Sequence, residues 1–164
     1  MVMVLARAII RVSGQPFRGP PQMMRLVIDS QLSEIRRASE LVDQFTARHG
    51  LADEDANAIH VVVDEILSNS IRHGLAGAAT HAIALTLELS EGEIVVEVED
   101  DGVAYDPTQA PAPVLAGTIA QRQVGGLGMA FVRSLTDSIE YRRVEGRNRL
   151  RLRRRVRETS RREP

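Results

Sequence analysis

The sequence predicts an α/β domain in which one strand and two helices precede two β-hairpins with a further helix between them. The turn dipeptides Glu91-Gly92 and Glu145-Gly146 each separate two short apolar runs, which predicts the hairpins. Elsewhere apolar residues recur at spacings of three and four, which predicts the helices. A chain of 164 residues can bury a sizeable hydrophobic core, so we expect one folded domain.

The composition restricts the chemistry that is open to this chain. Cysteine is absent, which excludes a disulfide framework, a thiolate metal site and a cysteine nucleophile. The 21 basic residues are all arginine and nearly balance the 22 acidic residues, so direct binding to nucleic acid is not expected. Without lysine the chain lacks the residue that a P-loop or a typical protein kinase places on the phosphates of ATP. Binding of ATP would therefore require another fold.

The chain divides into three segments. Residues 1–24 are interrupted by prolines and glycines and are expected to form a flexible N-terminal arm. Residues 25–156 form the expected folded domain, and residues 157–164 form a basic tail. No apolar run approaches the roughly 20 residues of a membrane span, so we expect a cytoplasmic protein without a membrane partner.

The first half of the domain is predicted to contain one strand and two helices. Arg25 to Asp29 is a short apolar run typical of a strand. A helix capped by Asp29 or Ser30 follows and ends near His49. The second helix extends from Asp53 to Gly74, a residue type that helix ends favour.

The second half is predicted to contain two hairpins around one helix. The first hairpin pairs residues 82–89 with residues 93–99, and the second pairs residues 139–144 with residues 148–156. The helix extends over residues 127–137. In the last strand apolar residues alternate with arginines, which favours a solvated sheet face, with a dedicated binding strip as the alternative.

The second helix carries four polar residues on one stripe. At roughly 100° per residue, Glu65, Asn69, Arg72 and His73 lie on the same side of the helix. An amide oxygen at Asn69 can ligate Mg²⁺ beside phosphate oxygens, and a carboxylate at Glu65 can orient or deprotonate an attacking hydroxyl. The alternative is a solvated helix edge with a polar pair at i and i+4.

Two glycine-containing motifs follow. Asp100, at the end of a predicted strand and two residues before Gly102, can accept a hydrogen bond from the exocyclic amine of adenine, although an ordinary Asp-Gly turn is the alternative. The run Gly125-Gly126-Leu127-Gly128-Met129 opens a helix and exposes backbone NH groups to an anion. A Rossmann fingerprint is excluded because Phe131 replaces the third small residue and a loop precedes the glycines.

Taken in order, these three motifs resemble the asparagine box and the two glycine boxes of the GHKL ATPase superfamily. The spelling is most similar to the bacterial anti-sigma-factor serine kinases of the RsbW and SpoIIAB type. The resemblance implies the Bergerat fold, a two-layer α/β sandwich whose mixed, mainly antiparallel sheet is covered by helices on one face. It also implies that residues 103–124 form an ATP lid, which fits their aperiodic, proline-containing sequence.

The resemblance assigns roles to individual residues. Glu65 is the implied catalytic base, Asn69 the implied Mg²⁺ ligand and Asp100 the implied contact to adenine. The residues implied to bind ATP are Asn69, Arg72, His73, Asp100, Gly102, Ala104, Gly125, Gly126, Leu127, Gly128 and Met129. Ala104 and Tyr105 depart from the superfamily, which prefers a second glycine there, and we interpret this departure as a mark of the serine-kinase branch.

The function implied by this resemblance is an ATP- and Mg²⁺-dependent serine/threonine kinase that acts as an anti-sigma factor. It would phosphorylate a STAS-type anti-anti-sigma protein and, in another state, sequester a sigma factor. A non-catalytic, ATP-gated protein-binding module is the main alternative, and formation of a homodimer is left open. The catalytic half of a histidine kinase is less favoured, because the first histidine is His49 and no phosphoacceptor hairpin precedes the domain.

Overall fold

The computed structural model describes residues 22–74, 81–109 and 127–156. Several predictions lie outside these ranges. They concern most of the N-terminal arm, the basic tail, the lid beyond residue 109, and the glycines Gly125 and Gly126.

Five strands form one sheet, and their order across it is β1-β2-β3-β5-β4. The strands are β1 (Gln22–Asp29), β2 (Ala82–Ser90), β3 (Glu93–Asp100), β4 (Ser138–Val144) and β5 (Arg147–Arg155). All four pairings are antiparallel, so the mixed, mainly antiparallel sheet that was expected is antiparallel throughout the described strands. β1 begins three residues earlier than predicted, because Gln22 to Met24 pair with β2 instead of belonging to the arm.

The two predicted hairpins are confirmed. Both turns place two consecutive residues at positive φ, with Glu91 at 53° and Gly92 at 79°, and with Glu145 at 52° and Gly146 at 80°. This is the conformation of a type I′ turn, whose twist matches the twist of the flanking strands.

Three α-helices accompany the sheet in the described ranges, namely α1 (Ile35–His49), α2 (Asp53–Asn69) and α3 (Leu127–Leu135). The predicted cap of α1 is wrong, because Ser30 accepts a hydrogen bond from the backbone N–H of His81 and α1 begins only after a short 3₁₀ turn. Gly50 ends α1 with φ of 59°, in the left-handed conformation that helix ends favour. No helix in the described part of the chain is long and apolar enough to cross a membrane.

The hydrophobic core lies between the helices and one face of the sheet. Inward-facing residues of the central strands alternate with polar ones, as the strand period of two requires. On β2, for example, Ile83, Leu85 and Leu87 are fully buried, and Phe45 of α1 and Ile66 of α2 pack in the same core. These contacts confirm the two-layer sandwich with helices on one face.

The other face of the sheet is polar. Glutamates of β3 face arginines of β5 across the register, and the Nη2 atom of Arg149 lies 2.6 Å from a carboxylate oxygen of Glu99. Arg151 and Arg153 lie opposite Glu97 and Val95 in the same strand pair and remain partly exposed. The alternating arginines thus form the solvated face that was predicted.

A buried ion pair fastens the beginning of α2 to β5. The carboxylate of Asp55 is completely buried and lies 2.8 Å from both Nε and Nη2 of Arg154, which is only 7% exposed. Arg154 also donates a hydrogen bond of 2.8 Å to the carbonyl oxygen of Leu135 at the end of α3. One guanidinium therefore connects β5 with both α2 and α3.

Candidate functional site

The last turns of α2 bring Glu65 and Asn69 together. Nδ2 of Asn69 donates a hydrogen bond of 2.9 Å to Oε1 of Glu65, so the polar pair at i and i+4, which the sequence analysis gave as the alternative to a metal site, is present. A carboxylate can only accept, which means that the amide turns its NH₂ group toward Glu65 and its oxygen away. Within the described residues, Oδ1 of Asn69 makes no hydrogen bond and is available to a ligand.

Glu65 also lies against the first turn of α3. A Cβ atom added at Gly128 would overlap the carboxylate of Glu65, so the backbone of α3 approaches this side chain as closely as only glycine allows. Leu127 begins α3, and Met129 is buried in the core beneath it. The candidate base is therefore next to the helix N-terminus at which the sequence predicted phosphate binding.

α2 continues into a π turn over Ser70–Gly74. A π turn is wider than an α turn, so the residues after Asn69 do not keep the angular positions that an ideal α-helix predicts. Arg72 and His73 are both exposed, and neither contributes to the wall of the cleft described below. The ring of His73 lies 5.6 Å from the ring of Tyr105. A contact of either residue with phosphate stays a prediction.

A cleft of about 390 Å³, measured with its opening to solvent, separates the end of α2 from the neighbouring strands. Apolar and polar groups both line the cleft, and they come from α2, β3, the loop after β3, α3, β4 and β5. The lining residues are Ile66, Asn69, Ser70, Val98, Asp100, Tyr105, Pro107, Met129, Tyr141, Asn148 and Leu150.

Asp100 is the last residue of β3 and lines the cleft although it is only 4% exposed. Its Oδ1 atom accepts two hydrogen bonds, one of 3.0 Å from the backbone N–H of Gly102 and one of 2.7 Å from Nδ2 of Asn148. The first bond, from the residue two positions further on, is that of an Asx turn, so the turn and the ligand interpretations are compatible. Among the described residues no donor approaches Oδ2, which leaves this atom as an acceptor at the cleft.

The sequence analysis missed Asn148, which is 5% exposed and uses both ends of its amide. Its Oδ1 accepts from the hydroxyl of Tyr141 at 2.8 Å and from Nη1 of Arg143 at 2.7 Å. Its Nδ2 donates to Asp100 and, at 2.8 Å, to the carbonyl oxygen of Val103. Its position was a usable signal, since Asn148 has the same alternation phase as the apolar residues of β5 and therefore faces the core.

The described beginning of the predicted lid is tied to α3. Buried Gly102 and exposed Ala104 follow Asp100, and Pro107 to Gln109 form a 3₁₀ turn. Directly before this turn, Asp106 accepts hydrogen bonds from the backbone N–H and the hydroxyl of Thr108. Arg133 of α3 donates 2.9 Å to the carbonyl oxygen of Thr108. A direct contact of Gly102 or Ala104 with a nucleotide stays a prediction.

The side chains of the cleft fit a magnesium nucleotide. Mg²⁺ prefers oxygen ligands and is commonly held by one or two protein groups together with phosphate oxygens and water. The outward oxygen of Asn69 is a group of this kind, and the described residues contain no cluster of three or more acidic or histidine side chains that would enclose a metal ion by itself. A metal at this site would therefore depend on phosphate for most of its ligands.

Comparison with known proteins identifies the family. Residues 28–154 match the histidine kinase-like ATPase domain family, and this match includes most of the chain. The chain therefore belongs to this family, which confirms the resemblance of the three motifs to GHKL ATPases.

Two curated relatives have names that describe kinases. The chain is 38% identical to the serine/threonine-protein kinase BtrW of Bordetella bronchiseptica over 54% of its own length and 63% of that protein. It is 27% identical to the serine-protein kinase RsbW of Listeria innocua over 62% of its own length and 68% of the relative. The alignments thus span about two thirds of these relatives.

A third relative and a solved structure are also similar to this chain. The anti-sigma F factor of Oceanobacillus iheyensis is 25% identical over 53% of this chain and 60% of the relative. A crystal structure of RsbU and RsbW domains from Mycobacterium tuberculosis matches 84% of this chain and 32% of that chain, with a TM-score of 0.57 at 18% identity. The structural match confirms the fold.

Proposed function

We propose that this chain is an ATP- and Mg²⁺-dependent serine/threonine protein kinase. The observation that carries the proposal is the position of Glu65, whose carboxylate contacts both Asn69 and the first turn of α3 at Gly128. A candidate base, a candidate metal ligand and a helix N-terminus that attracts anions thereby lie at one point. Relatives with kinase names support the same function.

Each group has a separate task in the proposed reaction. Asp100 holds the adenine amine through its available Oδ2 atom. Asn69 would hold Mg²⁺ through Oδ1, and the ion would neutralise phosphate charge when bound. Backbone NH groups at the beginning of α3 bind phosphate oxygens, as helix N-termini commonly do. Glu65 accepts the proton of a substrate serine or threonine hydroxyl as that oxygen attacks the γ-phosphorus in line with the leaving oxygen.

The biological partners are part of the proposal. We propose that the phosphorylated substrate is a STAS-type anti-anti-sigma protein and that the chain sequesters a sigma factor in another state. One relative is named an anti-sigma factor and another a serine-protein kinase, so the two roles occur among proteins similar to this chain. Exchange between the two partners would be the output of phosphorylation.

Incubation with γ-labelled Mg-ATP and a candidate STAS protein tests the kinase function. We expect label on a serine or threonine of the STAS protein, and much slower labelling with the Glu65→Gln variant. Label on a histidine of the chain itself would contradict the proposal. Nucleotide-dependent binding of the partner without any transfer of label would also contradict it and would identify an ATP-gated binding module instead.

A further inference from the structure

We propose that Asn148 is a positioning residue that sets the base selectivity of the cleft by fixing Asp100 as a hydrogen-bond acceptor. The inference rests on the proposed contact between Asp100 and the nucleotide base. It assigns a role to a row of three side chains across the sheet. In the strand registers Asp100 is paired with Asn148 and Asn148 with Arg143, so the three lie side by side at one end of the sheet.

The orientation of the Asn148 amide is determined by its neighbours. Arg143 is always a donor, so the amide must present its oxygen to Nη1 of Arg143 at 2.7 Å. The carbonyl oxygen of Val103 is always an acceptor, so the amide must present its NH₂ group there, at 2.8 Å. A flipped amide would lose both contacts, because its NH₂ group would face the guanidinium of Arg143 and its oxygen would face the carbonyl oxygen of Val103. Because Asn148 is 5% exposed, water cannot readily compensate such a loss.

This orientation determines what Asp100 can offer to a ligand. The NH₂ group of Asn148 and the backbone N–H of Gly102 both donate to Oδ1 of Asp100, at 2.7 Å and 3.0 Å. Both donors use Oδ1 and no donor among the described residues approaches Oδ2, so Oδ2 is left to accept from a ligand in the cleft that Asp100 lines. An acceptor selects a purine with an amine at position 6, as in adenine, and opposes the carbonyl oxygen that guanine carries at that position.

Arg143 extends the same arrangement to the loop after β3. Its Nη1 atom donates to Asn148 and also, at 3.0 Å, to the carbonyl oxygen of Gly102. The guanidinium therefore holds both residues that donate to Asp100. Its neighbour Arg142 instead lies near Glu140 on the outer face of the sheet, 3.4 Å from that carboxylate. These adjacent arginines allow a matched comparison.

The test measures dissociation constants of Mg-ATP and Mg-GTP for the full chain and three variants, each checked for folding by circular dichroism. Asn148→Asp places a carboxylate beside Asp100, and we expect the ratio of ATP to GTP affinity to fall by about tenfold or more, as expected when a buried donor is replaced by an acceptor. Arg143→Met should lower the ratio by a smaller factor, because the amide is then released from one side. Arg142→Met should leave the ratio unchanged.

The outcomes separate this inference from the proposed function. A folded Asn148→Asp or Arg143→Met variant with the wild-type ratio would overturn the role of Asn148, while ATP binding by the wild-type chain would leave the kinase proposal intact. Equal effects of Arg142→Met and Arg143→Met would also overturn it, since they would indicate a general effect of charge. A wild-type chain without preference for ATP would overturn the adenine contact of Asp100 and this inference together.

Discussion

Strand β5 carries a buried polar side chain near each of its ends. Each of these side chains contacts a carboxylate, but the two contacts differ. At one end Arg154 contacts Asp55 with two nitrogens, so the charge is compensated inside the protein. At the other end Asn148 contacts Asp100 with a neutral amide, and one carboxylate oxygen remains available at the cleft. We infer from this difference that the first end stabilises the fold, and we propose that the second end binds a ligand.

Helix α2 links the two ends, since Asp55 lies in its first turn and Asn69 is its last residue. Packing of its apolar side against the sheet fixes the direction of the helix. The ion pair fixes its beginning relative to β5 and α3. The ion pair thus helps to place Glu65 beside α3 and Asn69 at the cleft, although it lies at the opposite end of the same helix.

The largest expected effect is on the rate of phosphoryl transfer at the proposed nucleotide site. Glu65→Gln preserves size and removes the negative charge, so Mg-ATP should bind as before while phosphoryl transfer slows by roughly 10² to 10⁴. Asn69→Ala is the matched comparison, because loss of the metal ligand should weaken Mg-ATP binding and abolish transfer together. Titration calorimetry and a labelled-phosphate assay measure the two quantities. A wild-type rate of phosphoryl transfer in the Glu65→Gln variant would contradict the assignment of Glu65 as the catalytic base.

The next largest effect is on the stability of the fold, and it concerns the end of β5 at which Arg154 contacts Asp55. Arg154→Met leaves the carboxylate of Asp55 buried without its guanidinium, which should cost about 3 to 5 kcal/mol in the free energy of unfolding. The double variant Asp55→Leu/Arg154→Met should recover much of this loss, because two apolar side chains of similar volume replace the pair. Urea unfolding measures both values. An Arg154→Met variant of normal stability would contradict the structural role.

The sequence predicted the features that depend on nearby residues. The contact of Glu65 with Asn69 spans one helical turn, and both hairpins follow from dipeptides that adopt positive φ. Asp100 was correctly placed at a strand end, because the alternating run of β3 stops there.

The features that sequence reasoning missed depend on distant residues. Arg154 and Asp55 are separated by 99 positions, and Asn148 and Asp100 by 48, so no local pattern joins them. The π turn at the end of α2 also has no signature in the polar stripe from which a regular helix was predicted. The predicted start of the edge strand β1 was three residues too late, because pairing with β2 extends this strand to Gln22 and its own hydrophobicity does not.

The smallest expected effect is on the outer face of the sheet. The hydrogen bond from Arg149 holds the pKa of Glu99 below its ordinary value, and Arg147 acts in the same direction against the opposing effect of burial. Arg149→Met should therefore cost less than about 1 kcal/mol near neutral pH, as exposed ion pairs do.

The sign of its pH dependence follows from the lowered pKa. Stability from the Glu99 carboxylate is present above the ordinary carboxyl pKa and is lost as the pH falls through the folded-state value. The difference in the free energy of unfolding between wild type and Arg149→Met should thus become smaller toward acid pH. Urea unfolding at a series of pH values can measure this difference. A difference that grows toward acid pH would contradict the assignment.

The most direct test of the account is the affinity of the Asp100→Asn variant for Mg-ATP and Mg-GTP, measured by titration calorimetry. The account predicts that the wild-type chain binds ATP in preference to GTP, and that Asp100→Asn weakens ATP binding by about 1.5 to 3 kcal/mol, the value of a hydrogen bond to a charged group. Thermal stability should change little, because the ion pair between Arg154 and Asp55 at the other end of β5 is unchanged. Unchanged ATP affinity in a folded Asp100→Asn protein would contradict the claim that this end of β5 is the nucleotide site.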